Sequence, residues 1–123
     1  MGTHKYSPIE PTAWLTAYLR SYSDIPYCAE IFSEMERIKS INIPPEMKKP
    51  NLAPQLEARY KLISKVLKKC GVDQILELAS GLTPRGLNQT LKNESIKYVE
   101  IDLPEVVKMK KAIFILLPFV LIF

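Results

Sequence analysis

Two short stretches hold the residue types from which chemistry could be built. "ILELASGLTPRG", residues 75–86, runs from aliphatic residues through an acid, Glu77, into the small residues Ala79, Ser80 and Gly81. Small residues after a strand let the backbone approach a ligand and leave amide hydrogens directed into the space beyond. About twenty residues further on, "YVEIDLPEV" supplies Glu100 and Asp102, and an acid at that remove is suited to accept hydrogen bonds from two ribose hydroxyls. The two acids stand at alternate positions of an extended segment and so share a side. Each stretch also has a plain structural reading: a tight strand–turn–helix corner, and an acid that caps the next helix. Together, on one edge of a sheet, they favour adenosine-type binding. The dinucleotide pattern G-x-G-x-x-G is not present, because Ala79 and Thr83 stand where glycines are wanted. That argues against a nicotinamide cofactor, whose pyrophosphate needs the closest backbone approach.

The surrounding pattern predicts elements able to hold these groups in place. Residues 72–80 read as a buried strand bounded by Gly71 and Gly81, and residues 96–102 as a second strand. Pro84 opens a short helix between them, and Pro104 opens another through Ala112. Helix, strand, helix, strand, helix signals an α/β layer with parallel strands, whose ligands lie outside the carboxyl ends. Upstream, Thr12 can cap a helix with Trp14, Leu15, Tyr18, Leu19 and Tyr22 on one face. A second helix is expected after Asp24 with Pro26 in its first turn, and Cys28, Ile31, Phe32, Met35 and Ile38 form its stripe. Both stripes read as packing surfaces rather than pocket walls. "NIPPEMKKPNLAP" has four prolines and reads as an extended connector. The helix that follows carries Leu56, Tyr60, Ile63, Val66 and Leu67 on one face and ends at Gly71.

Composition narrows the function classes. With 123 residues, 47% hydrophobic and 24% charged, the chain suits one modest globular domain. The net charge of +4 is spread over separated lysines, without the basic, aromatic-interleaved stripe of a nucleic-acid binder. Cys28, Cys70 and His4 show no metal-ligand spacing, which argues against zinc, and both cysteines read as reduced residues of a cytoplasmic protein. The start lacks the apolar core of a secretory signal, and the pattern around Gly2 is incomplete for myristoylation. "AIFILLPFVLIF" is almost wholly apolar but, at about 12 residues, falls short of the roughly 20 that span a bilayer. It calls for cover, by self-association or by a partner.

"ILELASGLTPRG" followed by "YVEIDLPEVVKMKK" resembles the leucine carboxyl methyltransferase family, class I S-adenosylmethionine-dependent O-methyltransferases. "APQLEARYKLI" resembles the segment that leads into that fold, and "PTAWLTAYLRSYSDIPY" more loosely its helical N-terminal cap. The resemblance covers most of residues 8–112 and implies S-adenosyl-L-methionine as cofactor and a small-molecule or carboxylate-bearing methyl acceptor. Residue by residue, Glu77 matches the acid that closes the first strand, and Ala79, Ser80 and Gly81 match the loop that approaches the cofactor. Asp102 matches the ribose acid, with Glu100 its neighbour. Arg59 matches the family arginine near the cofactor carboxylate, and Arg20 is a second candidate in the cap. Either arginine also reads plainly as a solvated cation on a helix face.

Three segments are expected: a helical cap and connector over 1–51, the N-terminal half of a Rossmann-like α/β cofactor domain over 52–112, and an apolar tail over 113–123. The family's sheet has about seven strands, so the expected fold is truncated, with a strand edge and an apolar face uncovered. The leading expectation is a methyltransferase by descent that is inactive as this chain alone. Two alternatives stay open: a non-enzymatic remnant or partner-dependent fragment, and a small Rossmann-like binder of another nucleotide.

Overall fold

The computed structural model describes residues 10–39 and 43–117. The helices α1 (Glu10–Arg20) and α2 (Cys28–Ile38) come first, followed by two single 3₁₀ turns, Pro45–Met47 and Pro50–Leu52. Then come α3 (Ala53–Cys70), β1 (Gln74–Leu78), α4 (Arg85–Lys92), β2 (Lys97–Ile101) and α5 (Pro104–Leu116). The two strands pair in parallel, Leu76 beside Val99 and Leu78 beside Ile101. The chain is thus α/β, and both carboxyl ends lie on one edge. His4, Gly2 and the last six residues of the apolar tail lie outside the described residues.

Local chemistry accounts for most boundaries. Pro54 and Pro104 stand in the first turns of α3 and α5, where a missing amide hydrogen goes unmissed. Gly71 ends α3 in the left-handed region at φ 62°, as its position predicts. The start of α2 differs from expectation. The chain turns through residues 24–27, and α2 begins only at Cys28, because Tyr27 adopts φ 71°. Cys28 N–H bonds to Ile25 O instead, at 3.2 Å, and the Tyr27 ring packs on the core. The first helix, α1, already includes Glu10 and Pro11, so Thr12 lies inside its first turn rather than at its cap.

The main core joins the cap helices to the α/β half. Ala17 of α1, Ile31 and Met35 of α2, and Val106, Met109, Ile113 and Leu117 along and just past α5 form one buried cluster with Leu82. The point between Ala112 and Ile113, where the apolar tail is expected to begin, falls inside α5. Ile113 is fully buried and Leu117 is 1% exposed, whereas Ile115 and Leu116 are exposed, so one side of that stretch is core and the other is not.

The expected buried strand is a correction. Leu76, Leu78, Val99 and Ile101 are 50–67% exposed, and they occupy one face of the sheet. The opposite face, with Ile75, Glu77, Tyr98 and Glu100, is the half-buried one. A parallel sheet is normally covered on both faces, but among the described residues the apolar face is left open. Ile63 and Val66 of α3 are likewise 45% and 49% exposed, because that helix buries Ala53 and Tyr60 instead.

A smaller cluster sets the two cysteines apart. Cys28 packs with Ile25 and Tyr60 and is 3% exposed, whereas Cys70 is exposed. Burial pushes the Cys28 thiol up to about 11. An iodoacetamide titration of the native chain at pH 8 should therefore modify Cys70 and spare Cys28, read by peptide mass spectrometry. Equal labelling of both would contradict this packing. The raised value also fixes a sign. Between the thiol's ordinary 9.0 and about 11, the folded state holds a proton that the unfolded state gives up, so stability falls as pH rises through that window.

Candidate functional site

The loop after β1 is stitched to the end of β2. Ala79 N–H donates to Ile101 O at 2.8 Å. Ala79 and Gly81 then take φ 54° and φ 57°, a left-handed geometry that costs a non-glycine residue about 1–2 kcal/mol. The strain at Ala79 is the kind that clusters at ligand sites. Gly81 N–H donates to Asp102 Oδ2 at 2.6 Å, and Leu103 N–H donates to Asp102 Oδ1 at 2.7 Å. Loop and acid face each other, as the strand–loop–helix–strand spacing predicts. Ser80, between the two bends, is 3% exposed.

Glu77 reaches back beneath the loop. One carboxylate oxygen accepts from Arg85 Nη1, and the other accepts from Tyr98 Oη at 2.7 Å. Burial, then the Glu77 carboxylate, raises the Tyr98 pKa, so its hydroxyl keeps its proton and donates. The Arg85 guanidinium lies 4.6 Å from the Tyr60 ring centroid, in cation–π contact. Tyr60 Oη accepts from Asn88 Nδ2 at 3.0 Å, which also donates to Pro26 O at 3.1 Å. Asn88 thus ties α3, α4 and the turn before α2 together. Close approach of α4 to β2 requires Gly86, where a Cβ would stand 2.9 Å from Tyr98 Cδ1.

Two cavities meet at this loop. The crevice, about 450 Å³, lies outside the strand ends and is bordered by α1, α3 and the loop. Arg20, Arg59 and Arg85 stand around it with Glu77 and Asp102. The other cavity, about 540 Å³, lies beyond the Gly81–Asp102 contact and is walled by Tyr98, Glu100, Lys110, Phe114 and Ile115 among others. Ser80, Gly81 and Asp102 border both. The second is the larger space, but Glu100 is engaged there with Lys110. Polar groups converge on the crevice.

The structure brings Glu77, Ala79, Ser80, Gly81, Asp102 and Arg59 to the crevice and places Glu100 in the neighbouring cavity. Glu100 accepts from Lys110 Nζ at 2.6 Å. Lys110 is 6% exposed, and burial lowers its pKa while Glu100 opposes that shift. Arg59 is exposed. Arg20 is not: it is 8% exposed, and its Nη2 finds no hydrogen-bond partner. Burial, and to a lesser degree the charge of Arg85, lowers its pKa. Arg85 and Tyr98 were not legible as site residues. For Arg85 one signal was there, a cation at a helix N-terminus, where the dipole disfavours it unless an acid is close.

A strained small-residue loop faces an acid across the carboxyl edge of a parallel pair, with helices closing the opening. That edge is where open α/β sheets in general receive their ligands. The family model for leucine carboxyl methyltransferase matches residues 16–116, and the chain belongs to that family. The family is one of S-adenosylmethionine-dependent methyltransferases. No curated protein and no solved structure matches the chain. Among the described residues, no helix is long and apolar enough to cross a membrane, and no group of three metal-ligating side chains comes together.

Proposed function

We propose that the crevice binds S-adenosyl-L-methionine and that the chain serves methyl transfer to an oxygen of a small-molecule or carboxylate-bearing acceptor. On this reading residues 1–51 are a helical cap and connector, and the two strands belong to a Rossmann-like cofactor fold in the cytoplasm. The carrying observation is the polarity of the crevice. Three arginines stand on its helical side, Asp102 stands at the end of β2, and the Ala79–Gly81 backbone lies between. A zwitterionic amino acid joined to a nucleoside has matching ends: a carboxylate for the cations and two ribose hydroxyls for the acid.

Bound there, the cofactor supplies an activated methyl group on sulfur. The residues of this chain bind and align. A carboxylate acceptor is already anionic at neutral pH, so no general base is needed. Alignment within near-attack distance provides the rate. Glu77 acts through the loop: with both oxygens committed to Arg85 and Tyr98, it holds the backbone that approaches the ligand. The open apolar face of the sheet supports a second reading, in which the chain acts only together with whatever covers Leu76, Leu78, Val99 and Ile101.

Titration with S-adenosylhomocysteine should give saturable binding, and NAD should give none. Asp102→Ala should weaken S-adenosylhomocysteine by about 10-fold to 100-fold, as expected for lost hydrogen bonds to a charged group. Glu100→Gln should leave the affinity within about threefold, because Glu100 serves Lys110. Preference for NAD, or an Asp102→Ala chain that binds as well as the parent, would overturn the proposal.

A further inference from the structure

The open apolar face extends beyond the two strands. Leu76, Leu78, Val99 and Ile101 alternate onto it, and Ile63 of α3 borders the crevice together with Leu78. Val66 lies one helical turn past Ile63, on the same side of α3. These six side chains are 45–67% exposed. The apolar surface thus runs from β2 across β1 and onto α3.

Its size bounds what can cover it. Side chains exposed to this degree leave roughly 500 Å² of apolar surface open, at the upper end of what a monomer presents without a partner. A standard interface buries about 800 Å² on each side, and about 56–65% of that area is apolar. One such face therefore supplies nearly all the apolar area that one side of a stable dimer needs.

Its chemistry points to a like surface. Gln74 and Lys97 pair at the start of the strands and are exposed on this face. Among the described residues of the two strands, none further along it is charged or carries a hydrogen-bonding side chain. Such a face has nothing with which to select a polar partner, and it is complementary to itself, as a twofold interface requires. A twofold axis across the strands lays two sheets face to face at the usual spacing of about 10 Å, with the two Lys97 side chains at opposite ends. A parallel sheet is normally covered on both faces, and the second sheet provides that cover.

We propose that two copies of this chain pack through this face and that the partner copy closes the crevice on its open side. Leu78 is 67% exposed and Ile63 is 45% exposed, and both border the crevice. In the single chain the crevice is therefore open along that side, and the second copy completes its wall. The packing does not depend on which ligand the crevice receives.

Sedimentation equilibrium of the full chain, without ligand, is the test. The chain should dimerise with a dissociation constant of about 10 μM or tighter, within the range of interfaces this size. Leu76→Glu should raise that constant about 100-fold or more, the effect of burying an unpaired charge. Leu76→Thr keeps a strand-forming residue and should still weaken the dimer about 10-fold through lost apolar area, so the test stands if the glutamate variant fails to fold. Ile115→Glu, at a comparably exposed position on α5, should leave the constant within about threefold. Phe119→Ser combined with Phe123→Ser should do the same, since the sheet face and not the end of the chain carries the contact. A chain that stays monomeric well above this concentration would overturn the proposal, as would oligomers that keep growing with concentration. So would a dimer indifferent to both Leu76 variants, or one lost in the phenylalanine variant.

Discussion

Glu77→Ala is expected to destabilise the chain by about 3–5 kcal/mol, the range found when one partner of a buried ion pair is removed. The Glu77 side chain is 15% exposed and that of Arg85 is 8% exposed. Losing the carboxylate strands the Arg85 guanidinium beside Arg20, which already lacks a partner at Nη2. The Tyr98 hydroxyl loses its acceptor in the same step. Total stability for a domain of this size is on the order of 5–15 kcal/mol, so the variant should sit near its unfolding midpoint in mild urea. Adding Arg85→Met should restore part of the loss, because it removes the stranded charge. A loss under about 1 kcal/mol in urea unfolding would mean that water reaches this pair freely and that Glu77 does not hold the loop.

The second large effect concerns the apolar end of the chain. Ile113→Ala should cost about 2–5 kcal/mol, as for large aliphatic side chains truncated in a packed core. Ile113 is fully buried against the cap helices. Ile115, two residues on and 63% exposed, should tolerate alanine within about 0.5 kcal/mol. Paired urea unfolding curves check both. Comparable losses at the two positions, or none at either, would show that α5 does not dock on α2 by this face.

What could be read from the sequence was mostly local. Pro84 and Pro104 mark helix starts and Gly71 a helix end through backbone constraints that need no tertiary context, whereas Pro54, read as connector, stands in the first turn of α3. The run of aliphatics into small residues, then the second acid, was enough to set two parallel strands with their ends on one edge. The partners of charged side chains were not legible. Glu100 and Asp102 share a side of β2, yet Lys110, one turn and more into α5, takes Glu100, while the loop takes Asp102. Such pairings are set by how helices dock, which residue spacing does not encode. Burial was misread for the same reason. Leu76 and Val99 are typical of a covered parallel strand, but whether something lies over them depends on elements beyond their own pattern. Along "AIFILL", helical periodicity divides Ile113 from Ile115, a distinction hidden while the stretch reads only as uniformly apolar.

The central claim is that the crevice beside Asp102, and not the larger cavity beyond it, receives the adenosyl cofactor. Backbone amide NMR of the ¹⁵N-labelled chain, titrated with S-adenosylhomocysteine, tests it most directly. The account predicts the largest shifts at Thr16, Arg59, Ala79 and Thr83, which border only the crevice. Gly81 and Leu103 should follow as the Asp102 hydrogen bonds are displaced or shared. Shifts concentrated at Thr90, Lys111 and Phe114, which border only the other cavity, or no shifts at saturating ligand, would contradict it.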